Sequence, residues 1–224
     1  MRQAIKIMTF SLAAMSISLF SNMSYAAKAT GEGTEEGVIW QVEDPTKLIQ
    51  SVRAGGNIIY FRHAPTELKK KDANKKLQTT KVDYKNCKVQ RNLSKEGREV
   101  AAGIRDQLKR LAVPVQTVYA SPYCRTADTA RIIFTKAIFD PQLGYSLSRS
   151  AEDSRRLGLY LKGKILKMKP KKSNIIIVGH SSNLRDGLGV WPKPEGVAVV
   201  FKPKGGKLIY RGMITPSQWQ LVAQ

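Results

Sequence analysis

The sequence has little histidine and little cysteine, with two residues of each among 224. So few ligands exclude a protein with several zinc sites and a scaffold dense in disulfides. Acidic residues are also scarce: 17 Asp and Glu stand against 38 Lys and Arg, which gives a formal net charge of +21. Such an excess favours anionic partners, whether phosphates, nucleic acid or a membrane surface, and does not define a fold.

The first 26 residues have the pattern of an export signal. Two bases precede an apolar stretch from Ile7 to Phe20, and Ser24 and Ala26 provide small residues at the positions that a signal peptidase inspects. A membrane anchor is the alternative, but the stretch is short for a span of about 20 residues and contains several serines. We therefore predict a signal peptide at residues 1–26 and a periplasmic or secreted protein without a transmembrane segment after cleavage.

Export affects the interpretation of the two cysteines. In an oxidising compartment, Cys87 and Cys124 are expected to form a disulfide, with two buried thiols as the alternative. A zinc site that joins both cysteines to His63 and His180 is disfavoured, because no two of these residues have the short spacing typical of zinc ligands.

The remainder reads as a flexible N-terminal lead over residues 27–43 and one α/β domain over residues 44–224. Short apolar runs are typical of strands buried on both faces, as in a parallel sheet, and lie at residues 57–61, 117–120, 174–178 and 197–201. Helical patterns lie around them at residues 44–53, from Ser94 onward, and at 126–134 and 151–168. This alternation predicts a mainly parallel central sheet with helices on both faces. Gly205 and Gly206 predict a C-terminal hairpin, and a short helix is expected from Thr215.

A basic insertion at residues 66–91 interrupts this pattern. Its lysines between residues 69 and 88 either attract a polyanionic substrate or form a solvated basic face. The segment lacks aromatic residues interleaved with its bases, so it does not predict a specific nucleic-acid site.

Both histidines directly follow predicted strands. His63 follows the run at 57–61, and His180 follows the run at 174–178. Ligands of open parallel sheets bind beyond the carboxyl ends of the strands, so we expect both imidazoles in one crevice together with Arg62 and Arg125. Two guanidinium groups suit a phosphoryl group, and a neutral imidazole can attack phosphorus. Structural hydrogen bonding by either histidine is the alternative.

Four motifs resemble the histidine phosphatase superfamily, the phosphoglycerate-mutase-like phosphatases. In chain order they are the Arg-His-Ala-Pro-Thr sequence at 62–66, Leu-Ser-Lys-Glu-Gly at 93–97, Ser-Pro-Tyr-Cys-Arg at 121–125, and Val-Gly-His at 178–180. Together they cover most of the domain. The resemblance implies a phosphoglycerate-mutase-like fold and a phosphomonoester hydrolase in which His63 is the phosphorylated nucleophile. Arg62 and Arg125 would hold the phosphoryl oxygens, His180 would complete the pocket, and no metal or other cofactor is implied.

The sequence departs from the family pattern at three places. Ala64 replaces the usual glycine, and Lys69 stands where many members have asparagine. The glutamate that many members carry about two dozen residues after the second arginine, as the general acid, has no counterpart here. Glu67 is the preferred candidate for this acid, with Glu152 and Asp153 as alternatives.

These observations predict a metal-independent phosphatase that works through a phosphohistidine and acts on a phosphorylated, anionic substrate. The alternative is a degenerate member that binds phosphorylated or polyanionic ligands without turnover, and a mutase ranks below both. The sequence predicts neither the substrate nor an oligomeric state.

Overall fold

The computed structural model describes residues 34–35, 38–68, 83–146 and 149–221. These residues form an eight-stranded sheet with the spatial order β1-β2-β8-β7-β3-β6-β4-β5. The strands are β1 (Thr34–Glu35), β2 (Val38–Trp40), β3 (Ile58–Arg62), β4 (Val115–Ala120), β5 (Ile138–Phe139), β6 (Asn174–Gly179), β7 (Ala198–Lys204) and β8 (Lys207–Ile214).

The centre of the sheet is parallel. Strand β6 lies between β3 and β4 and runs parallel to both, with Phe61 opposite Val178 and Ala120 opposite the same residue on the other side. The pairs β2–β8 and β4–β5 are also parallel, so four of the seven neighbouring pairs are. The expectation of a mainly parallel sheet is confirmed.

Helices cover both faces of the sheet. They are α1 (Pro45–Ala54), α2 (Lys95–Arg110), α3 (Cys124–Phe134), α4 (Ala151–Lys167) and α5 (Ser181–Leu188). Apolar side chains of α1, α2 and α3 pack into one core with Ile59, Phe61 and Val178 of the sheet. Side chains of α4 and α5 pack into the other core with Ile58 and Ile177. Because neighbouring strand residues point to opposite faces, the buried strands supply both cores at once.

Polar side chains define where three helices begin. The Asp44 side chain accepts a hydrogen bond from the Thr46 amide, the Ser94 side chain from Gly97, and the Ser150 side chain from Asp153. Such caps satisfy amides that have no partner within the helix. A Cβ added at Gly97 would lie 1.8 Å from the Pro65 carbonyl oxygen, so α2 approaches the turn after β3 more closely than any other residue type would allow.

The structure differs from the sequence-based expectation in four places. Part of the lead at 27–43 belongs to the sheet, as β1 and β2. The run at 197–201 is not a parallel strand, because β7 is antiparallel to both β3 and β8. Helix α5 was not predicted, and the expected helix after Thr215 is a single 3-10 turn at Ser217–Gln220. The hairpin at Gly205 and Gly206 is confirmed.

Two expectations concern residues outside the described ranges. These are the signal peptide at 1–26 and most of the basic stretch at 69–88. Within the described ranges, no helix combines the length and apolar character that a membrane span requires.

Candidate active site

The carboxyl ends of three neighbouring strands bring the predicted site residues together. His63 directly follows β3, His180 follows β6, and Ser121 follows β4. The His63 amide donates to the Gly179 carbonyl at 3.1 Å, which continues the β3–β6 ladder past the end of the strand. The two imidazole ring centres are 5.6 Å apart. The structure therefore brings the two histidines close together at the carboxyl ends of β3 and β6.

One hydrogen bond defines the tautomer of His63. Its Nδ1 lies 3.0 Å from the carbonyl oxygen of Ala64. Because a carbonyl only accepts, Nδ1 must carry the hydrogen, and in the neutral ring Nε2 then holds the lone pair. The Ala64 amide donates to the Thr129 hydroxyl at 3.0 Å, which holds this turn against α3. The lone pair on Nε2 is the part of a neutral imidazole that can attack an electrophile.

His180 is oriented through its Nε2, whereas His63 is oriented through its Nδ1. Its Nε2 lies 3.0 Å from the Ser121 hydroxyl, and that hydroxyl oxygen also accepts a hydrogen bond from the Tyr123 amide. When the serine hydroxyl donates to Nε2, the hydrogen of neutral His180 is on Nδ1. Nδ1 is buried and has no hydrogen-bond partner among the described residues. A buried donor of this kind is suited to an oxygen of a bound anion.

The glycine before His180 is required by a close approach. A Cβ at Gly179 would lie 2.1 Å from the hydroxyl oxygen of Tyr60. That hydroxyl donates to the His180 carbonyl at 2.8 Å, and its burial raises the pKa of Tyr60 above its usual range. The Val-Gly-His motif thus places a buried tyrosine behind the second imidazole.

Arg125 lies in the first turn of α3 and is completely buried. Its guanidinium carbon is 5.1 Å from the ring centre of Tyr123 and 4.9 Å from that of Tyr145. Both rings also contact the imidazole of His180, at centre distances of 5.2 and 5.3 Å. Arg125 and His180 therefore lie in one aromatic enclosure, where a cation and a ring face attract each other.

The surroundings keep both imidazoles neutral. Burial lowers the pKa of His63 well below its ordinary value, and the nearby charge of Arg125 lowers it further, although the bond to Ala64 acts in the opposite direction. Burial and Arg125 likewise lower the pKa of His180. His180 thus contributes a neutral imidazole to the site before any anion binds, rather than the positive charge that a protonated ring would supply.

Arg62 has a carboxylate partner that the sequence did not reveal. Its Nη2 donates to Glu195 at 2.9 Å, and its Nη1 donates to the Pro192 carbonyl at 3.2 Å. Its Nε is buried without a hydrogen-bond partner among the described residues. Glu195 comes from the loop before β7 and also accepts a hydrogen bond from the Thr66 amide at 2.9 Å.

Arg91 is a third guanidinium near the imidazoles. Its positive charge lowers the pKa of both His63 and His180. Its Nη2 lies 3.4 Å from Glu195. The only signal in the sequence was its position two residues before the Leu-Ser motif at 93–97. Glu195 gave no signal, since it follows His180 by 15 residues in a proline-containing loop.

The three candidate acids lie at different places. Glu67 continues the turn after His63, where its amide donates to the Asn92 carbonyl at 3.1 Å. Glu152 and Asp153 lie in the first turn of α4, where Glu152 is exposed and the half-buried Asp153 pairs with Arg156 at 3.2 Å. Of the three, only Glu67 is in the segment that carries the nucleophile.

The predicted disulfide is present, and it lies beside the second arginine motif. Cys87 and Cys124 are bonded, with Cα atoms 5.7 Å apart. The bond joins the end of the insertion to the first residue of α3, next to Arg125. In the described part of the chain, no group of three or more His, Cys, Asp or Glu residues is arranged to hold a metal ion.

Comparison with known families agrees with the motifs. Residues 58–143 match the family model described as the histidine phosphatase superfamily, branch 1. This match confirms the predicted resemblance over the segment that contains the first three motifs. The matched segment contains Arg62, His63 and Arg125, whereas His180 lies outside it and is placed by the geometry. No curated protein sequence matches this chain.

Solved structures resemble this chain at low sequence identity. A candidate alpha-ribazole-5'-P phosphatase from Escherichia coli is 14% identical, covers 71% of this chain and 97% of its own, and gives a TM-score of 0.52. The protein histidine phosphatase SixA complexed with tungstate is 14% identical over 72% and 97%, with a TM-score of 0.49. A mutant phosphoserine phosphatase from Entamoeba histolytica in complex with phosphoserine is 13% identical over 72% and 98%, also at 0.49. The first of these likenesses supports the phosphoglycerate-mutase-like fold.

Proposed function

We propose that this chain is a phosphomonoester hydrolase that works without a metal ion and through a phosphohistidine at His63. The observation that carries the proposal is the bond from His63 Nδ1 to the Ala64 carbonyl. It leaves Nε2 with a lone pair, and the buried site keeps the ring neutral over a wide pH range because the pKa of His63 is lowered. The match of residues 58–143 to the family supports the same chemistry.

The reaction proceeds in two displacements. In the first, Nε2 of His63 forms a bond to phosphorus while the bond from phosphorus to the ester oxygen breaks, and the alcohol leaves with a proton from a general acid. In the second, water attacks the phosphohistidine and the bond between phosphorus and Nε2 breaks. The conjugate base of the general acid accepts a proton from the attacking water. Inorganic phosphate leaves, and His63 is again neutral.

The remaining residues stabilise the group in transfer. Arg125 and Arg62 supply positive charge at the phosphoryl oxygens, where a water-poor setting strengthens the attraction. The Nδ1–H of His180 donates to another oxygen. Three groups from the ends of β3 and β6 and the start of α3 thus surround one phosphoryl position.

Glu67 remains our proposed general acid, since it belongs to the turn that carries the nucleophile. This assignment can be tested with two substrates whose leaving groups differ in acidity. Glu67→Gln should lower kcat by about 10²- to 10⁴-fold for an alkyl phosphate, whose alkoxide needs a proton, and far less for an aryl phosphate with an acidic phenol. Glu152→Gln and Asp153→Asn are the matched controls. A selective loss in either control would move the role to that residue, and an equal loss for both substrates would remove Glu67 from it.

The proposal as a whole is tested by turnover and trapping. The mature protein is incubated with an aryl phosphate at several pH values in the presence of a chelator, and a rapidly quenched sample is analysed for phosphohistidine. We expect turnover, label on His63, and loss of both in His63→Ala. Turnover that disappears with the chelator would contradict metal independence. Binding without any turnover or label would instead indicate a degenerate phosphate-binding member.

We also propose that the protein is exported and loses residues 1–26. The Cys87–Cys124 disulfide supports this, since such bonds persist in oxidising compartments. Mass spectrometry of the protein from fractionated cells is the test. A mature N-terminus after Ala26 in the periplasmic or secreted fraction is expected, and a cytoplasmic protein with its first residues intact would refute export.

A further inference from the structure

The positive charge at the site exceeds what the two arginine motifs supply. Besides Arg62 and Arg125, Arg91 acts electrostatically on both imidazoles. Arg91 is about one-quarter exposed, whereas Arg125 is completely buried. Arg91 is therefore the more accessible of these two guanidinium groups.

A single carboxylate connects this third guanidinium to the first. Glu195 Oε1 lies 2.9 Å from Arg62 Nη2 and 3.4 Å from Arg91 Nη2. Its Oε2 accepts from the Thr66 amide at 2.9 Å, and the Thr66 hydroxyl is 3.1 Å away. Both carboxylate oxygens are thus engaged as acceptors, which is the arrangement of a group that orients its neighbours rather than of one that gives up a proton.

The backbone around Arg91 is held to the second arginine motif. The side-chain oxygen of Gln90 accepts a hydrogen bond from the Cys124 amide at 2.9 Å, and the disulfide joins Cys87 to the same residue. On its other side, the Asn92 carbonyl accepts from the Glu67 amide at 3.1 Å. The segment that carries Arg91 is therefore bonded both to the start of α3 and to the turn after His63. These bonds fix the position of the Arg91 backbone relative to the two arginine motifs.

We propose that Arg91 is a third guanidinium of the phosphoryl-binding site, held beside Arg62 by the carboxylate of Glu195, which acts as a positioning residue. This inference rests on the proposed function for its identification of the ligand as a phosphoryl group. The charges agree with it: three guanidinium groups and one carboxylate leave two positive charges around two neutral imidazoles. A phosphomonoester carries about 1.5 to 2 negative charges at pH 7.

The binding of inorganic phosphate tests the proposal without any need for turnover. Calorimetric titration of the full-length mature protein compares the wild type with Arg91→Gln and Arg91→Lys. We expect Arg91→Gln to weaken binding by about 10- to 100-fold, because a charge-assisted hydrogen bond is lost. Arg91→Lys keeps the charge but loses the planar guanidinium, so its phosphate affinity should lie between those of the wild type and Arg91→Gln. Arg98→Gln is the matched control, since Arg98 is half exposed on α2 and pairs with Asp128 at 3.2 Å.

Substitution of Glu195 changes the phosphate affinity in opposite directions, depending on whether its carboxylate competes with phosphate or positions the arginines. If its carboxylate only competed with phosphate, Glu195→Ala would strengthen phosphate binding. If it positions the two arginines, Glu195→Ala weakens binding, Glu195→Gln restores part of the loss, and Arg91→Gln adds little in the Glu195→Ala background. Stronger binding in Glu195→Ala, or unchanged binding in both Arg91 variants, would overturn the proposal.

A second measurement separates a site role from a merely structural one. Titration of the imidazoles by NMR should show the pKa of both His63 and His180 rising in Arg91→Gln, since a nearby positive charge has gone. Arg98→Gln should leave both values unchanged. If Arg91→Gln fails to fold, Arg91→Lys decides by its phosphate affinity.

The two proposals fail in different ways. If the protein binds phosphate through Arg91 but shows neither turnover nor phosphohistidine, the catalytic proposal is wrong and the present one holds. If turnover is normal and Arg91→Gln binds phosphate like the wild type, the present one is wrong and the catalytic proposal holds.

Discussion

Burial of two neutral histidines makes the stability of this protein depend on pH in a defined direction. His63 and His180 are 3% and 0% exposed, and the pKa of each is lowered, first by burial and then by the charge of Arg125. In the unfolded chain both rings regain a pKa of about 6.5. Below that value the unfolded state binds protons that the native state does not, so the free energy of unfolding falls as the pH falls.

The magnitude follows from this linkage. Between about pH 7.5 and about pH 5.5, a histidine that stays neutral in the folded state lowers the free energy of unfolding by up to about 1.4 kcal/mol. The two together remove up to about 2.8 kcal/mol, a large share of the roughly 5–15 kcal/mol that stabilises a typical domain. Stability due to the two rings is thus fully present above pH 7 and is lost on the acid side.

Urea unfolding at the two pH values measures the effect, with the disulfide kept intact. The control is the double variant His63→Asn/His180→Asn, which keeps polar side chains but has no imidazole to titrate. Carboxylates with a lowered pKa, such as Asp140, also weaken the fold in acid, but they do so in both proteins and cancel in the comparison. We expect the wild type to lose more stability than the variant, by up to about 2.8 kcal/mol. Equal losses would refute the conclusion that both imidazoles are buried in the neutral form.

Two further predictions concern packing and covalent structure. Gly179→Ala should lower the free energy of unfolding by about 1–3 kcal/mol and lower turnover, because the new methyl group displaces the Tyr60 hydroxyl. Thermal unfolding measures the loss of stability. The control is Gly163→Ala, which should be neutral or stabilising because a Cβ at that position meets nothing within 4 Å. Replacing Cys87 and Cys124 by serine should remove about 4 kcal/mol of stability for a separation of 37 residues and weaken phosphate binding. Unchanged phosphate affinity in a folded double-serine variant would show that the bond does not help to hold the site.

Much of the site could be predicted because its main residues follow buried strands. A run of apolar residues identifies a strand, and the residue after the run lies at the carboxyl end of that strand. His63 and His180 were found in this way, and the Cys87–Cys124 bond followed from the expected compartment. The hydrogen bonds that orient the rings could not be predicted, because Ser121 and Tyr60 meet His180 only through the pairing of strands far apart in the chain.

The direction of one strand explains why Glu195 was missed. A buried apolar run does not reveal whether its strand is parallel or antiparallel, and the run at 197–201 was expected to be parallel. Had it been so, the residues before it would lie at the opposite edge of the sheet from His63. Because β7 is antiparallel to β3, with Ala198 opposite Phe61, the residues that precede β7 meet those that follow β3.

The contacts at that junction follow from this geometry. The Gly196 amide donates to the His63 carbonyl at 2.9 Å, and the residue before it brings its carboxylate to Arg62, 133 positions away in the chain. The nucleophile turn is therefore supported by a segment that lies outside all four motifs. It follows that substitutions in the loop before β7 should affect phosphate binding as much as substitutions within the motifs. Glu195→Ala, compared with Glu195→Gln, is the direct measure of that support.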